Sequence, residues 1–211
     1  GVAFGGAGAV AAGCSNFEDS LGTGANGSNS GSTINTSSQK LGDGCLSFDG
    51  TSDTVNCDGA VDFSTTVGSL SFWYNVNIAE TAQPTLLSFT VETAQEMLNI
   101  TFDTSLGTAS QGYLQCTSYL ASAGGMRWEV NSPIQDKAEW HWCCLVQDGS
   151  VVKAYFNNVE NGTFVNETDK STWITASMDT GRIGSLLKNS AAAKGFYQGL
   201  IDDVCLWNTA I

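Results

Sequence analysis

Phe196-Tyr197-Gln198-Gly199-Leu200-Ile201-Asp202-Asp203-Val204-Cys205-Leu206-Trp207-Asn208-Thr209-Ala210 stands one residue from the end of this 211-residue chain. An aromatic pair and a glycine lead into an apolar run interrupted by two adjacent carboxylates. Residues 197–207 read as one long strand with Asp202 and Asp203 set inside it.

Working back from that strand, Leu70-Ser71-Phe72-Trp73-Tyr74-Asn75-Val76 alternates cleanly. Leu70, Phe72, Tyr74 and Val76 are expected to face a core, and Ser71, Trp73 and Asn75 the other side. Trp140, Trp142, Cys144 and Val146 share one face of another strand, and His141, Cys143 and Leu145 the other. Both faces are apolar, so that strand is expected to be central and covered on both sides. Adjacent cysteines on a strand point to opposite faces, so His141 reads as a satisfied core histidine rather than a soft-metal ligand.

Further strands are expected at 85–91, 97–103, 112–119, 126–130, 151–157 and 180–185. Cys14–Asp19 reads as a first strand, 20–40 as a polar loop, and Cys45–Phe48 with Val55–Cys57 as a hairpin over the turn 49–53. Gly is abundant at 24, Pro scarce at 2, and no long 3.6-residue period appears. Many short strands without helices predict an all-β, two-sheet antiparallel sandwich spanning 14–211. It is preceded by a Gly/Ala-rich apolar extension, residues 1–13. Gly-rich ends fray unless tied down, so Val2, Phe4 and Val10 need a host: this domain's own sheet or a neighbouring subunit's.

The net charge is −13, from 21 acids and 8 bases. Such a surface repels phosphate, which argues against nucleic-acid partners. No apolar run is long enough to span a membrane as a helix. Seven cysteines and five N-x-S/T sequons, at Asn26, Asn35, Asn99, Asn161 and Asn166, fit an oxidising extracellular setting or a particle or cell surface. Cys45 and Cys57 flank the expected hairpin symmetrically and are candidates for a disulfide.

Four segments together carry a family resemblance. They are the closing strand, Leu46-Ser47-Phe48-Asp49-Gly50-Thr51-Ser52-Asp53, Gly68-Ser69-Leu70-Ser71-Phe72-Trp73, and Trp140-His141-Trp142 running into Asp148-Gly149. In order and spacing they resemble the laminin G-like, concanavalin A-like lectin/glucanase family of jelly rolls. The resemblance implies neighbouring first and last strands, hence a possible pairing of Cys14 with Cys205. It also implies one structural Ca2+ between the N-terminal loop and the last strand, with Asp202, Asp203 and Asp19 or Asn26 as oxygen ligands.

For sugar recognition the candidates are Trp73, Asn75 and Tyr155, where rings stand beside polar groups on one strand face. Catalysis has little to rest on. Glu92 and Glu96 flank three residues with no Asp between them, and one histidine gives no hydrolase triad. The sequence therefore favours a non-catalytic structural subunit of an extracellular filament or virion surface. Its partners would be copies of itself, with the N-terminal segment donated to a neighbour. The alternative is a calcium-dependent carbohydrate-binding or adhesion module that meets cell-surface glycans.

Overall fold

The computed structural model describes residues 2–4, 16–17, 27–58, 66–77, 79, 83–91, 96–105, 107–171, 173, 178–187 and 192–211. In chain order its strands are β1 (Val2–Phe4), β2 (Asn16–Phe17), β3 (Gly27–Ser30), β4 (Thr33–Asn35), β5 (Cys45–Asp49) and β6 (Thr54–Asn56). Then come β7 (Gly68–Val76), β8 (Thr85–Thr90), β9 (Glu96–Asp103), β10 (Gln111–Leu120), β11 (Gly125–Asn131) and β12 (Gln135–Asp136). The last six are β13 (His141–Gln147), β14 (Val152–Phe156), β15 (Val159–Glu160), β16 (Thr163–Glu167), β17 (Thr180–Ile183) and β18 (Gln198–Trp207).

Two antiparallel sheets face each other. One runs β15-β14-β13-β7-β18-β5-β4, with β1 also on β18. The other runs β16-β11-β10-β9-β8-β17-β6-β3-β2, with β12 on β10. The only described helix is a single 3-10 turn at Ala121–Ala123. The inner faces make one core: Leu70, Phe72, Tyr74 and Val76 of β7 meet Leu98, Ile100, Phe102 and Leu114 of the opposite sheet. The alternation read from the sequence is thus realised in β7. The buried Tyr74 hydroxyl donates to Gln135 Oε1, which satisfies the one polar atom that side chain carries inward.

β13 is central and covered on both sides, as its two apolar faces require. His141, Cys143 and Leu145 are buried on one face, Cys144 and Val146 on the other. His141 is a satisfied core histidine, with Nε2 at 2.8 Å from Asp136 O and Nδ1 at 3.2 Å from the Asn157 amide.

Three expectations are corrected. β5 and β6 do not pair with each other. β5 lies between β18 and β4, whereas β6 lies between β17 and β3 in the facing sheet. The turn over Asp49 is therefore a corner between sheets. Asp49 shapes it by accepting the N–H groups of Thr51 and Ser52 at 2.8 and 2.9 Å. Cys45 and Cys57 end up on opposite sheets, and both are free thiols, as is Cys205. Cys14, proposed as the partner of Cys205, lies outside the described residues.

The polar segment 20–40 is more than a loop. Gly27–Ser30 and Thr33–Asn35 are strands despite poor strand propensity, because β6 and β5 offer open ladder groups to them; β3 lies between β6 and β2, and β4 is an edge strand. Val2–Phe4, the described part of the extension, pairs inside the chain. β18 is longer than β5, and β1 pairs with the remaining stretch, Val2 opposite Leu206 and Phe4 opposite Val204. The ladder groups of Val204–Leu206 are thereby met within the molecule. Val10 lies outside the described residues.

Candidate functional site

β18 and β7 run side by side at the centre of the eight-stranded sheet. Inward Tyr74 and Ile201 leave Asn75, Trp73, Leu200 and Asp202 on the outer face. Between Asp202 and Cys205, β18 gains one residue over β7. Asp203 absorbs this bulge at φ 49°, a conformation that Asp tolerates better than most residues. The bulge keeps Asp202 level with Trp73 while turning Val204 and Leu206 back to the core.

Rows of residues cross this outer face. One holds Ser47 of β5, Leu200 of β18 and Asn75 of β7. Two positions along lie Asp202, Trp73 and Trp142, with Cys45 beside Asp202. Two further along lie Cys205, Ser71, Cys144 and Tyr155.

The first row is the floor of a groove of about 320 Å³, whose lining includes Ser47, Asn75, Asn77, Ala138, Gln198 and Leu200. Its polar groups are amides and a hydroxyl, each able to donate and accept, beside the apolar Leu200. Gly199 shapes it from beneath. A Cβ there would stand 2.3 Å from Asn75 O and 2.6 Å from the Tyr197 hydroxyl. Without one, Tyr197 Oη reaches the backbone and donates to Asn75 O at 2.8 Å, holding β7 and β18 in register under the groove.

The second row is covered by the loop 36–41. Asn35 Oδ1 accepts the N–H groups of Ser37 and Ser38, both at 2.9 Å, and Trp140 Nε1 donates to Ser38 O at 3.0 Å. Asp202 Oδ2 accepts the N–H groups of Lys40 and Leu41, both at 2.9 Å. Lys40 Nζ then lies 4.5 Å from the centre of the Trp73 ring. Burial pushes the Asp202 carboxyl up, opposed by the N–H groups of Leu41 and Lys40. Asp202 Oδ1 and Gln39 Oε1 are buried acceptors with no hydrogen-bond partner. Each is an oxygen of the type a hard cation takes, and Gln39 precedes the Lys40 that Asp202 holds. Among the described residues no three of His, Cys, Asp and Glu gather around one point.

The candidate residues therefore separate. Asn75 lines the groove. Trp73 has its ring engaged by Lys40, so it is not the open stacking platform expected of it. Tyr155 lies two strands across and four residues along from Asn75, roughly 16 Å by strand geometry. Its hydroxyl is held by Glu160, and burial is the larger of the effects that raise its pKa. Asp203 sits in the bulge, with the Cys205 thiol 3.9 Å from its carboxylate. Asp19 and Asn26 lie outside the described residues. Of the other sequon positions, Asn161 and Asn166 are exposed, Asn35 is tied to its own loop, and Asn99 sits in mid-sheet with its amide oxygen buried. Sequence reasoning missed Ser47, Asn77 and Gln198, whose shared groove depends on strand order, and Lys40, whose contact depends on Asp202.

This arrangement, two antiparallel sheets with an amide-lined groove on one outer face, is that of a lectin-like jelly roll. The chain belongs to the laminin G-like branch of the concanavalin A-like lectin/glucanases superfamily, whose family model matches residues 49–211. Among solved structures it is similar to domain 4 of AbnA, an extracellular GH43 arabinanase from Geobacillus stearothermophilus, in complex with arabinotriose. The identity is 20%, the TM-score 0.60, and the match covers 92% of this chain and 87% of that one. It is also similar to the CBM40 of the Ruminococcus gnavus IT-sialidase bound to α2,3-sialyllactose, at 12% identity and TM-score 0.54 over 71% and 79% of the two chains. A Trypanosoma rangeli sialidase matches at 10% identity and TM-score 0.66, over 100% of this chain and 31% of that one. No curated protein matches the chain in sequence.

Proposed function

We propose that this domain is a non-catalytic carbohydrate-binding module that holds a glycan in the groove over Asn75, in an extracellular or surface setting. The observation that carries this reading is the set of uncommitted polar groups in the groove. The Asn75 and Gln198 amides and the Ser47 hydroxyl make no hydrogen bond to another described residue, and they stand beside the apolar Leu200. Sugars present alternating hydroxyls and C–H patches, which such a surface matches. The carbohydrate complexes of the two domains named above support the class. No helix of the described residues is long and apolar enough to cross a membrane.

Calcium is part of the proposal. Asp202 Oδ1 and Gln39 Oε1 would hold it with oxygens from the N-terminal region, Asp19 and Asn26 among them. Bound there, it would fix the loop 36–41 to the last strand. The filament or virion-subunit reading keeps less support, because β1 pairs with β18 of its own chain.

The test is binding of immobilised oligosaccharides by the parent, Asn75→Ala and Gln198→Ala proteins. The parent is expected to bind, and each variant to lose about tenfold or more while keeping its fold. Retention of full affinity by both variants overturns the groove assignment.

A further inference from the structure

Resting on the glycan reading, we infer that the groove is selective for uncharged oligosaccharides and rejects sialylated, sulfated and uronic sugars. The first observation is the lining itself. Among the described groove residues every hydrogen-bonding group is a neutral amide, hydroxyl or backbone group. An anionic sugar needs a cation or an array of dedicated donors to replace the water it gives up.

The second observation is where five of the chain's eight basic residues are. Arg127 pairs with Asp169, Arg182 with Asp58, and Lys170 with Glu167, all away from the groove. Lys137 is next in sequence to Ala138 of the lining, but it is buried and its ammonium donates to Ala109 O at 3.2 Å. Lys40 shares the face, two positions along from Asn75, and its ammonium sits over the Trp73 ring.

The third observation is the charge that does stand at the rim. Asp49 is opposite Gln198 across the β5–β18 ladder. Its carboxyl is held well below the usual range, first by the Thr51 hydroxyl and then by the N–H groups of Ser52 and Thr51, so it is ionised at any physiological pH. The exposed Glu139 follows Ala138 of the lining. Each carboxylate within about 8 Å lowers the affinity for an anion a few-fold, and the chain's net charge of −13 adds a long-range term.

The test is an array carrying neutral arabino-, gluco- and galacto-oligosaccharides beside sialylated, sulfated and uronic ones. Hits would be re-measured by calorimetry at about 20 mM and about 500 mM NaCl, where screening differs strongly. The expected result is that the hits are uncharged, are lost in Asn75→Ala, and change by less than about twofold with salt. Lactose and 3′-sialyllactose serve as a matched pair, with the sialylated form no tighter than the neutral one. Hits that are anionic, depend on Asn75 and weaken about tenfold in high salt overturn the selectivity while sparing the glycan reading. A protein that binds no sugar of either kind overturns the glycan reading, and this inference with it.

Discussion

Asp202 on the last strand accepts the backbone N–H of Lys40 at 2.9 Å, across 162 positions of sequence. The same oxygen takes the N–H of Leu41, so one carboxylate ties the loop 36–41 onto the sheet. That contact places Lys40 over Trp73 and covers the row beside the groove. Replacing Asp202 by Ala removes two charge-assisted hydrogen bonds and is expected to cost about 1–3 kcal/mol in urea unfolding, with a change in tryptophan fluorescence as Lys40 leaves Trp73. Asp202→Asn keeps an acceptor oxygen and should lose less. Equal losses in the two variants would show that the hydrogen bonds are not what the carboxylate supplies.

The pH dependence follows from the same group. Burial raises the Asp202 carboxyl above its ordinary 3.8, so the folded chain binds a proton there more readily than the unfolded one. Its contribution to stability therefore grows as pH falls from neutral towards about 4. Asp49 and Asp148 act in the opposite sense. Asp148 is held at about 2, first by the Val151 N–H and then by Ser150, and such groups contribute fully above about 4 and lose it in stronger acid. With chelator present, the stability of the parent relative to Asp202→Asn should rise between pH 7 and about 4. Added Ca2+ should flatten or reverse that slope if Asp202 holds the ion. An identical slope with and without Ca2+ would remove calcium from the account.

The thiols give an independent check on the burial. Six cysteines are buried and free. Burial pushes Cys45, Cys57 and Cys205 up to about 12 and Cys144 to about 11, and Cys143 lies well above its ordinary value beside Cys116 in the core. At pH 8 a thiol with a pKa of 12 is about one part in ten thousand thiolate. The native reduced protein should therefore leave six of its seven thiols unreactive to a disulfide reagent until it is unfolded. Fast reaction of two or more contradicts the core described here.

How much of this was legible beforehand differs by residue. β7 was legible because Leu70, Phe72, Tyr74 and Val76 alternate with small or polar residues, and a period of two has few other readings. β13 was legible as central because both its faces are apolar. The pairing of β5 was not. Asp49 and Asp53 look like a hairpin turn from sequence, and only the competition from β18 and β17 sends the two strands to different sheets. Trp73 was placed on the correct face, yet its cover comes from Lys40, 33 positions earlier, through Asp202. Asn75 was found by alternation, whereas its groove partners Ser47 and Gln198 are brought level with it by β18 standing between β5 and β7.

Gly199 offers a test of the groove's construction. Its φ is 149°, and a methyl group there meets Asn75 O and the Tyr197 hydroxyl inside van der Waals contact. Gly199→Ala should cost about 1–3 kcal/mol through overpacking and should weaken glycan binding together with stability. Tyr197→Phe removes the hydrogen bond to Asn75 O without adding volume and should cost about 1 kcal/mol. A Gly199→Ala protein as stable as the parent would mean that Tyr197 does not occupy that space.

The central claim, that the outer face of the eight-stranded sheet binds sugar at the Asn75 row, is tested most directly by backbone amide chemical-shift mapping. Labelled protein would be titrated with the strongest neutral oligosaccharide from the array. The shifts are expected to concentrate at Ser47, Asn75, Asn77, Ala138 and Gln198–Leu200. Shifts confined to the outer face of β8–β11, or no shifts at saturating sugar, would contradict it.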